Sequence, residues 1–597
     1  MKRLLQKVLL YLRTLLTLQP RQLFARLPHE WWVRRRKKLG WPAQAPDLEL
    51  KFNKTRLPPP PPEELARHRA VADLWRKGIV EYLGQQGAAA DYRAWHRPRL
   101  WRYERHYHGE LVAFAAMALE EPAGPWVDAA RDLVLSWAAE APPQVGEAWE
   151  PYPTARRLLN WSEAVALEPR VATPLAFRMQ VQMSHLLAHL EHHLRGNHLL
   201  CDAAALVASG SVLQGPGAAL ALHQGIVLLE KELALQVLPD GGYAERTVLY
   251  HSLVLRDATL ALLLARERGQ PPAIKNELGR MALWLARVRR ADGSFPQVND
   301  SSPRAQLLAQ DALRLALRAN LLGPMPEPAA VVDLPETGWT FLREAGCELF
   351  FDRGPIGPRE QPGHGHAGAL AYELQWYGLP VVSDSGMTTY EVGPVRDFER
   401  SAAAHATVSV DGEGVDEVWH SFRVARRGRV ERLPDPQCDP RLRALRGRSH
   451  SFRGWEHERW IFFWPGRALL VFDEVTGTKP GAELRSRVPL HPTWSVAESG
   501  KVFYLLGPGA RGLQLQILRG EFDGAPRGQE TPREGWASQG FLQPVPRTSV
   551  RLRPDSEGVM VHAFFAPGVS WREAPGGLSL RAPGAEVLLR LEGGLPA

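Results

Sequence analysis

The spacing of hydrophobic and polar positions changes once along the chain, near Pro335. From about residue 63 to residue 325, apolar residues recur every three or four positions, as on a helix with one buried face. AFRMQVQMSHLLAHLEHHL, ALALHQGIVLLEKELALQVL and NELGRMALWLARVRR show it well. Beyond Pro335, short runs such as WTFLRE, CELFFDRG, ATVSVDG, RWIFFWPGRALLVFDEVTG and VMVHAFFAPG alternate with turn residues. Many short strands with turn signals between them predict an antiparallel β-sandwich. The expected architecture is therefore multidomain, α then β. A helical domain spans 63–330, a β-sandwich domain spans 335–597, and residues 1–62 lead in.

Two of the predicted helices run into the same kind of stop. One meets Pro239-Asp240-Gly241-Gly242-Tyr243, the other Ala291-Asp292-Gly293-Ser294-Phe295. Glycine supplies the left-handed conformation that ends a helix, and the spacing is one helical hairpin. Repeated hairpins bury their faces by stacking or by closing into a ring. An incomplete α/α toroid is favoured here, because its wide mouth makes a groove for a long ligand.

Residues 1–40 are basic and end in WWVRRRKKLG, and five prolines at Pro58–Pro62 form a stiff spacer. The apolar run VLLYLRTLLTL follows Lys2, Arg3 and Lys7, but Arg13 interrupts it and no small-residue cleavage pattern follows. It is too short to span a bilayer. The pattern predicts a basic amphipathic helix lying on a membrane surface or on the protein itself.

Composition narrows the field. Hydrophobic residues make up 45% and charged residues 23% of 597 residues, a globular mixture large enough for two or three domains. Three scattered cysteines exclude a disulfide framework. The net charge of +8 favours polyanionic partners. Neither paired-cysteine zinc fingers nor a phosphate loop in convincing context is present, so nucleic acid is not expected as a partner.

Three clusters carry candidate chemistry. Asn197-His198 follows Gly196 where one helix gives way to another; a capping Asn beside a partly buried His leaves the same trace. Tyr243, Glu245, Arg246, Tyr250 and His251 crowd one helix start, and a phenol beside Arg or an ordered His can move a proton, though an ordinary amphipathic segment reads alike. His364-Gly365-His366 leads into a strand, with Asp384 on the next and His405 beyond it. Two His and one Asp on neighbouring strands suit a metal; a buried His pair satisfied by Asp384 reads the same.

GHGHAGALAYELQWYGLPVVSDSGMTTYE and RDFERSAAAHATVSVDGEG resemble the C-terminal signature of the heparinase II/III family. WEPYPTARRLLNW (149–161), GNHLL and DGGYAERTVLYH resemble its toroid motifs, in order. The resemblance implies an incomplete α/α toroid plus antiparallel β-sandwich, and β-elimination on a uronate-containing acidic polysaccharide. By position it implies Tyr250, His364 and His198 as catalytic residues and Asn197 as the group that neutralises the uronate carboxylate. Arg246, Tyr243 and Trp149 are expected to bind substrate. His366, Asp384 and His405 would hold a structural zinc. A setting in the cell envelope or periplasm is also implied, although the sequence alone suits a cytoplasmic or membrane-peripheral protein equally.

At two positions the chain departs from the family pattern. Gly368 stands where the signature has Asp, and Ala406 where it has Asn. Loss of the Asp is expected to remove a partner that orients His364 or His366. Two other functions therefore remain open: a non-catalytic glycan-binding protein, and a glycoside hydrolase using two of Glu150, Asp240, Glu245 and Asp292.

Overall fold

A computed structural model describes residues 2–18, 52–173 and 175–596, with positions 20, 22, 24 and 26 between them. The basic run WWVRRRKKLG lies outside the described residues. Strands follow helices in the expected order: the last long helix is Arg304–Arg318 and the first strand of the β half is Val331–Leu334. The β domain thus begins before residue 335, with a strand that pairs Trp339–Glu344.

The helical half is organised around Gly196–Val212. Fifteen of its seventeen residues are buried, because helices Pro151–Leu167, Pro216–Gln236 and Val248–Glu267 pack around it. A helix apolar on every side is stable only when enclosed in this way. One departure from the helical reading is a hairpin, Ile79–Tyr82 with Gln85–Ala88. Its turn is Leu83-Gly84, both at positive φ, and its strands are too short for a clear period of two.

The Asp-Gly stops also differ in detail from expectation. The helices end earlier, at Gln236 and Val288, and each Asp-Gly forms the tip of a tight turn. Leu238 and Gly242 pair across the first, Arg290 and Ser294 across the second. The Asp carboxylates accept the amides of Gly242 and Ser294, at 3.0 and 2.9 Å. Gly241 and Gly293 take φ of +93° and +83°, which explains the glycines.

Every described strand pair in the β half is antiparallel. A five-stranded meander, Val331–Val382, comes first. An eight-stranded sheet, ordered 429–432, 443–450, 456–464, 468–476, 559–565, 511–519, 502–507 and 495–499, carries most of the sandwich core. One face of the meander shares the helical core through Trp339, Phe341 and Phe350. Polar ties lock the halves together. Asp240 accepts the Thr337 amide at 2.6 Å, Trp284 donates to the Thr337 hydroxyl, and Arg290 is ion-paired to Glu348 and Glu373.

The N-terminal helix Lys2–Leu16 lies on the hairpin 416–427. Arg13 pairs with Glu417, Trp419 donates to the Thr14 hydroxyl, and Tyr11 meets the Trp419 ring edge-on at 4.9 Å. Its opposite face exposes Leu5, Val8, Leu9, Leu12, Leu15 and Leu16.

Candidate active site

The two halves meet at Asp300, in the segment that joins helix Lys275–Val288 to helix Arg304–Arg318. Its carboxylate is fully buried and accepts from three side chains. His364 Nδ1 lies 2.8 Å from one oxygen and His366 Nε2 lies 2.9 Å from the other. Arg396 binds both oxygens. Burial opposes the charge, but Arg396 and the two imidazoles outweigh it and hold the carboxyl well below its usual range.

This arrangement sets the His364 tautomer. A carboxylate only accepts, so Nδ1 carries the proton and Nε2 keeps a lone pair. Nε2 faces the Asn197 side-chain amide at 3.3 Å. The His364 ring stacks on Tyr250 with centroids 3.8 Å apart. The Tyr250 hydroxyl is 2.8 Å from that of Tyr390. Burial pushes the Tyr250 phenol well above its usual pKa, with Tyr390 and Asp300 adding to the effect. Tyr250 is therefore a protonated group, a donor rather than a resident phenolate.

Asn197 is oriented by Glu245, which accepts from both its backbone amide, at 3.1 Å, and its side-chain nitrogen. The Asn197 Oδ1 atom is buried without a partner. His198 is one-third exposed and lies 3.0 Å from Glu191. Burial disfavours its charge, but Glu191 prevails and raises its pKa. The helix start at Gly196 makes this possible. A Cβ there would come within 2.5 Å of the Glu245 carboxylate, so glycine lets the chain approach the acid that aims Asn197.

Behind these groups His366, Asp384 and His405 bring ligand atoms within 4.8 Å of one another. His366 Nδ1 and His405 Nε2 are buried and unpartnered, while their other nitrogens are held by Asp300 and Asp384. Burial pushes His366 down to about 4, against the pull of Asp300. Two buried imidazole nitrogens without a partner, beside a carboxylate, fit a metal ion.

The structure brings Asn197, His198, Tyr250 and His364 together, but not the expected substrate binders. Trp149 is fully buried, its indole donating to Ala141 O at 3.2 Å. Tyr243 is 1% exposed and donates to Gln236 and Glu245. Arg246 straps the β domain through Thr337 O and Glu336 O, both at 2.9 Å. These three are framework residues.

The expectation for Gly368 is also corrected. His364 and His366 are oriented by Asp300, not by position 368. A side chain at 368 would instead rest 3.3 Å from the His405 ring, and Ala406 is buried with its carbonyl accepting from Arg459. Both departures border the His366–Asp384–His405 cluster and leave the Tyr250–His364 contact intact. The hydrolase reading loses two of its acids: Asp240 secures Thr337 and Asp292 secures the Ser294 turn. Asp300 and Tyr390 were missed. Tyr390 lies inside the signature segment; Asp300, in QVNDSSP, has no pattern around it.

A profile described as "Heparinase II/III N-terminus" matches residues 104–319, and one described as "Heparinase II/III-like, C-terminal" matches residues 326–571. The chain belongs to the heparinase II/III family. A heparin-sulfate lyase of Bacteroides stercoris is 22% identical over 451 residues, covering 69% of this chain; the chain spans 63% of that relative's length. Among solved structures, a heparinase III has a TM-score of 0.65 at 14% identity, covering 94% of both chains. The heparan sulfate lyase HepC of Pedobacter heparinus has a TM-score of 0.57 at 18% identity, covering 95% of this chain and 94% of its own. These neighbours share the toroid-plus-sandwich fold.

Proposed function

We propose that this chain is a polysaccharide lyase that cleaves a uronate-containing acidic polysaccharide by β-elimination. The observation that carries the reading is the stacked Tyr250–His364 pair, with His364 Nε2 3.3 Å from the Asn197 side-chain amide. The family's lyases point the same way.

Each group suits one part of the reaction. The C5 proton of a uronate becomes removable once its carboxylate is neutralised, because the developing charge spreads onto those oxygens. The Asn197 amide and the His198 imidazole donate to that carboxylate. His364 Nε2 takes the C5 proton, while Asp300 receives the hydrogen bond of the imidazolium formed. The C5 electrons form the C4–C5 double bond, the C4–O bond breaks, and Tyr250 protonates the departing oxygen. Tyr390 is placed to pass a proton back to Tyr250. A zinc ion held by His366, Asp384 and His405 would fix the strands behind the site and supply positive charge there.

The test is Tyr250→Phe, which keeps the ring stack and removes the proton. The expected result is a fall in kcat of about 10²–10⁴-fold with KM little changed. Unimpaired turnover by a folded Tyr250→Phe protein would contradict this assignment.

A further inference from the structure

The catalytic groups of the β half are braced by a short hairpin. Val418-Trp419 pairs with Arg423-Val424 over only two residues each, and its tip, His420-Ser421-Phe422, holds His420 at φ +58°. The Ser421 carbonyl accepts from Arg396 at 2.9 and 3.2 Å, and Arg396 in turn binds Asp300. The His420 carbonyl accepts from Arg400 at 2.6 Å, and Arg400 donates to the carbonyl of Gly365, between His364 and His366. The Phe422 ring stands edge-on to His364, centroids 5.8 Å apart, and lies 5.2 Å from the Tyr390 ring. A two-residue ribbon with a histidine in the left-handed region does not hold itself in place.

What holds it is the helix Lys2–Leu16 and the turn after it. Arg13 is ion-paired with Glu417 at 2.8 Å, Trp419 donates to the Thr14 hydroxyl at 3.1 Å, and Arg427 donates to the Thr17 hydroxyl at 3.1 Å. The Arg423 guanidinium lies 4.4 Å from the Tyr11 ring and 5.1 Å from the Trp419 ring, which themselves meet edge-on. These contacts use one side of the helix. The other side carries Leu5, Val8, Leu9, Leu12, Leu15 and Leu16, all exposed and spaced to share a face. The charge that accompanies this stripe has one sign. The helix has four basic residues and no acidic one, and the run WWVRRRKK at 31–38 adds five basic residues and two Trp in the sequence. An apolar helix face with basic residues and Trp nearby in the chain matches the hydrocarbon boundary and negative surface of an anionic bilayer.

We infer that the helix seats the protein on an anionic lipid surface by its outer face and holds the hairpin 416–427 against the catalytic residues by its inner face. Lipid contact and catalytic site are then separated by one helix and one hairpin, and the cleft works beside the membrane on which the helix lies. Tyr11, Arg13 and Thr14 are positioning residues, acting on Asp300 and His364 through Ser421 and Phe422. The lipid contact is independent of the lyase reading, whereas the effect of the clamp on turnover rests on it.

The experiment sediments vesicles of phosphatidylcholine, and of phosphatidylcholine mixed equally with phosphatidylglycerol, with three versions of the full chain. One is unsubstituted, one carries Leu9→Glu with Leu12→Glu on the outer face, and one carries Tyr11→Ala, Arg13→Gln and Thr14→Val on the inner face. Amide hydrogen exchange over 416–427 and turnover of soluble uronate polymers are measured on the same proteins. The unsubstituted protein is expected to bind the mixed vesicles about tenfold tighter than the neutral ones. The outer-face variant loses that binding and keeps its exchange rates and kcat. The inner-face variant still binds the mixed vesicles. Its Glu417 and Ala425 amides, bonded to the carbonyls of Arg426 and Glu417 at 2.9 Å, exchange about tenfold faster, and kcat falls with the melting temperature little moved. Equal binding to both kinds of vesicle, or to neither, would overturn the lipid assignment. So would a dimer that the outer-face variant splits, since a second copy would then be the occupant. Unchanged exchange and kcat in the inner-face variant would overturn the clamp. Lipid binding and exchange as expected, with no unsaturated product from any polymer, would uphold the inference and overturn the lyase reading.

Discussion

A carboxylate has no proton to give, so Asp300 decides which nitrogen of His364 is the base. Nδ1 is committed to donation, and Nε2 is left facing Asn197 and the cleft. Asp300→Asn puts that tautomer in doubt and strands Arg396, whose side chain is fully buried. Breaking a buried pair costs about 3–5 kcal/mol. The variant should therefore melt lower and, where still folded, lose kcat; thermal unfolding and steady-state rates check both. His198 gives a pH signature. Its folded pKa is raised above 6.5, so its positive charge is complete below 6.5 and is lost as pH rises through the raised value. Both its pairing with Glu191 and its pull on a substrate carboxylate weaken over that window. KM should climb as pH rises through that raised value, and His198→Gln should flatten the climb. Of these residues, Asn197, Tyr250 and the spaced pair His364/His366 were legible in the sequence. Asp300 was not, because an isolated Asp in a turn carries no period and its partners lie 64 to 96 residues away. Trp149, Arg246 and Tyr243 misled for the opposite reason: aromatic and cationic side chains suit a sugar cleft and a domain seam equally.

At the scale of elements, helix periodicity and strand alternation located both halves, since each reports one buried face per element. What periodicity does not record is a turn too short to have one. The hairpin 79–88 and the two Asp-Gly tips were missed or misplaced for that reason, although the glycines of the two tips were marked as places where the chain reverses. The lead-in 364–371 is irregular, and its histidines converge because Asp300 gathers them. The same segment places His366 beside Asp384 and His405. Adding zinc to chelator-treated protein should raise the melting temperature, by about 2.7 kcal/mol of added stability at one hundred times the dissociation constant. His405→Ala should abolish the rise, and an unmoved melting curve in the unsubstituted protein would count against a metal there.

For the whole molecule, net charge pointed to a polyanionic partner, and its source is local. Residues 1–40 carry eleven basic residues and one acidic one, while residues 41–597 carry 62 basic and 64 acidic. The leader's helix turns six apolar residues outward, and eleven basic residues lie in the first 40 positions. Binding to vesicles of anionic lipid, weakened by salt and by Leu9→Glu with Leu12→Glu, is expected in sedimentation assays; equal binding to neutral vesicles would contradict it. The joining of the halves is equally a property of the whole, for Asn197 and Tyr250 come from one and His364 from the other. The most direct test of that shared site is incubation with a panel of uronate polymers, following the ultraviolet absorbance of a 4,5-unsaturated uronate. The account predicts that the absorbance grows with the unsubstituted protein and stays flat with Tyr250→Phe. New reducing ends without that absorbance would contradict it.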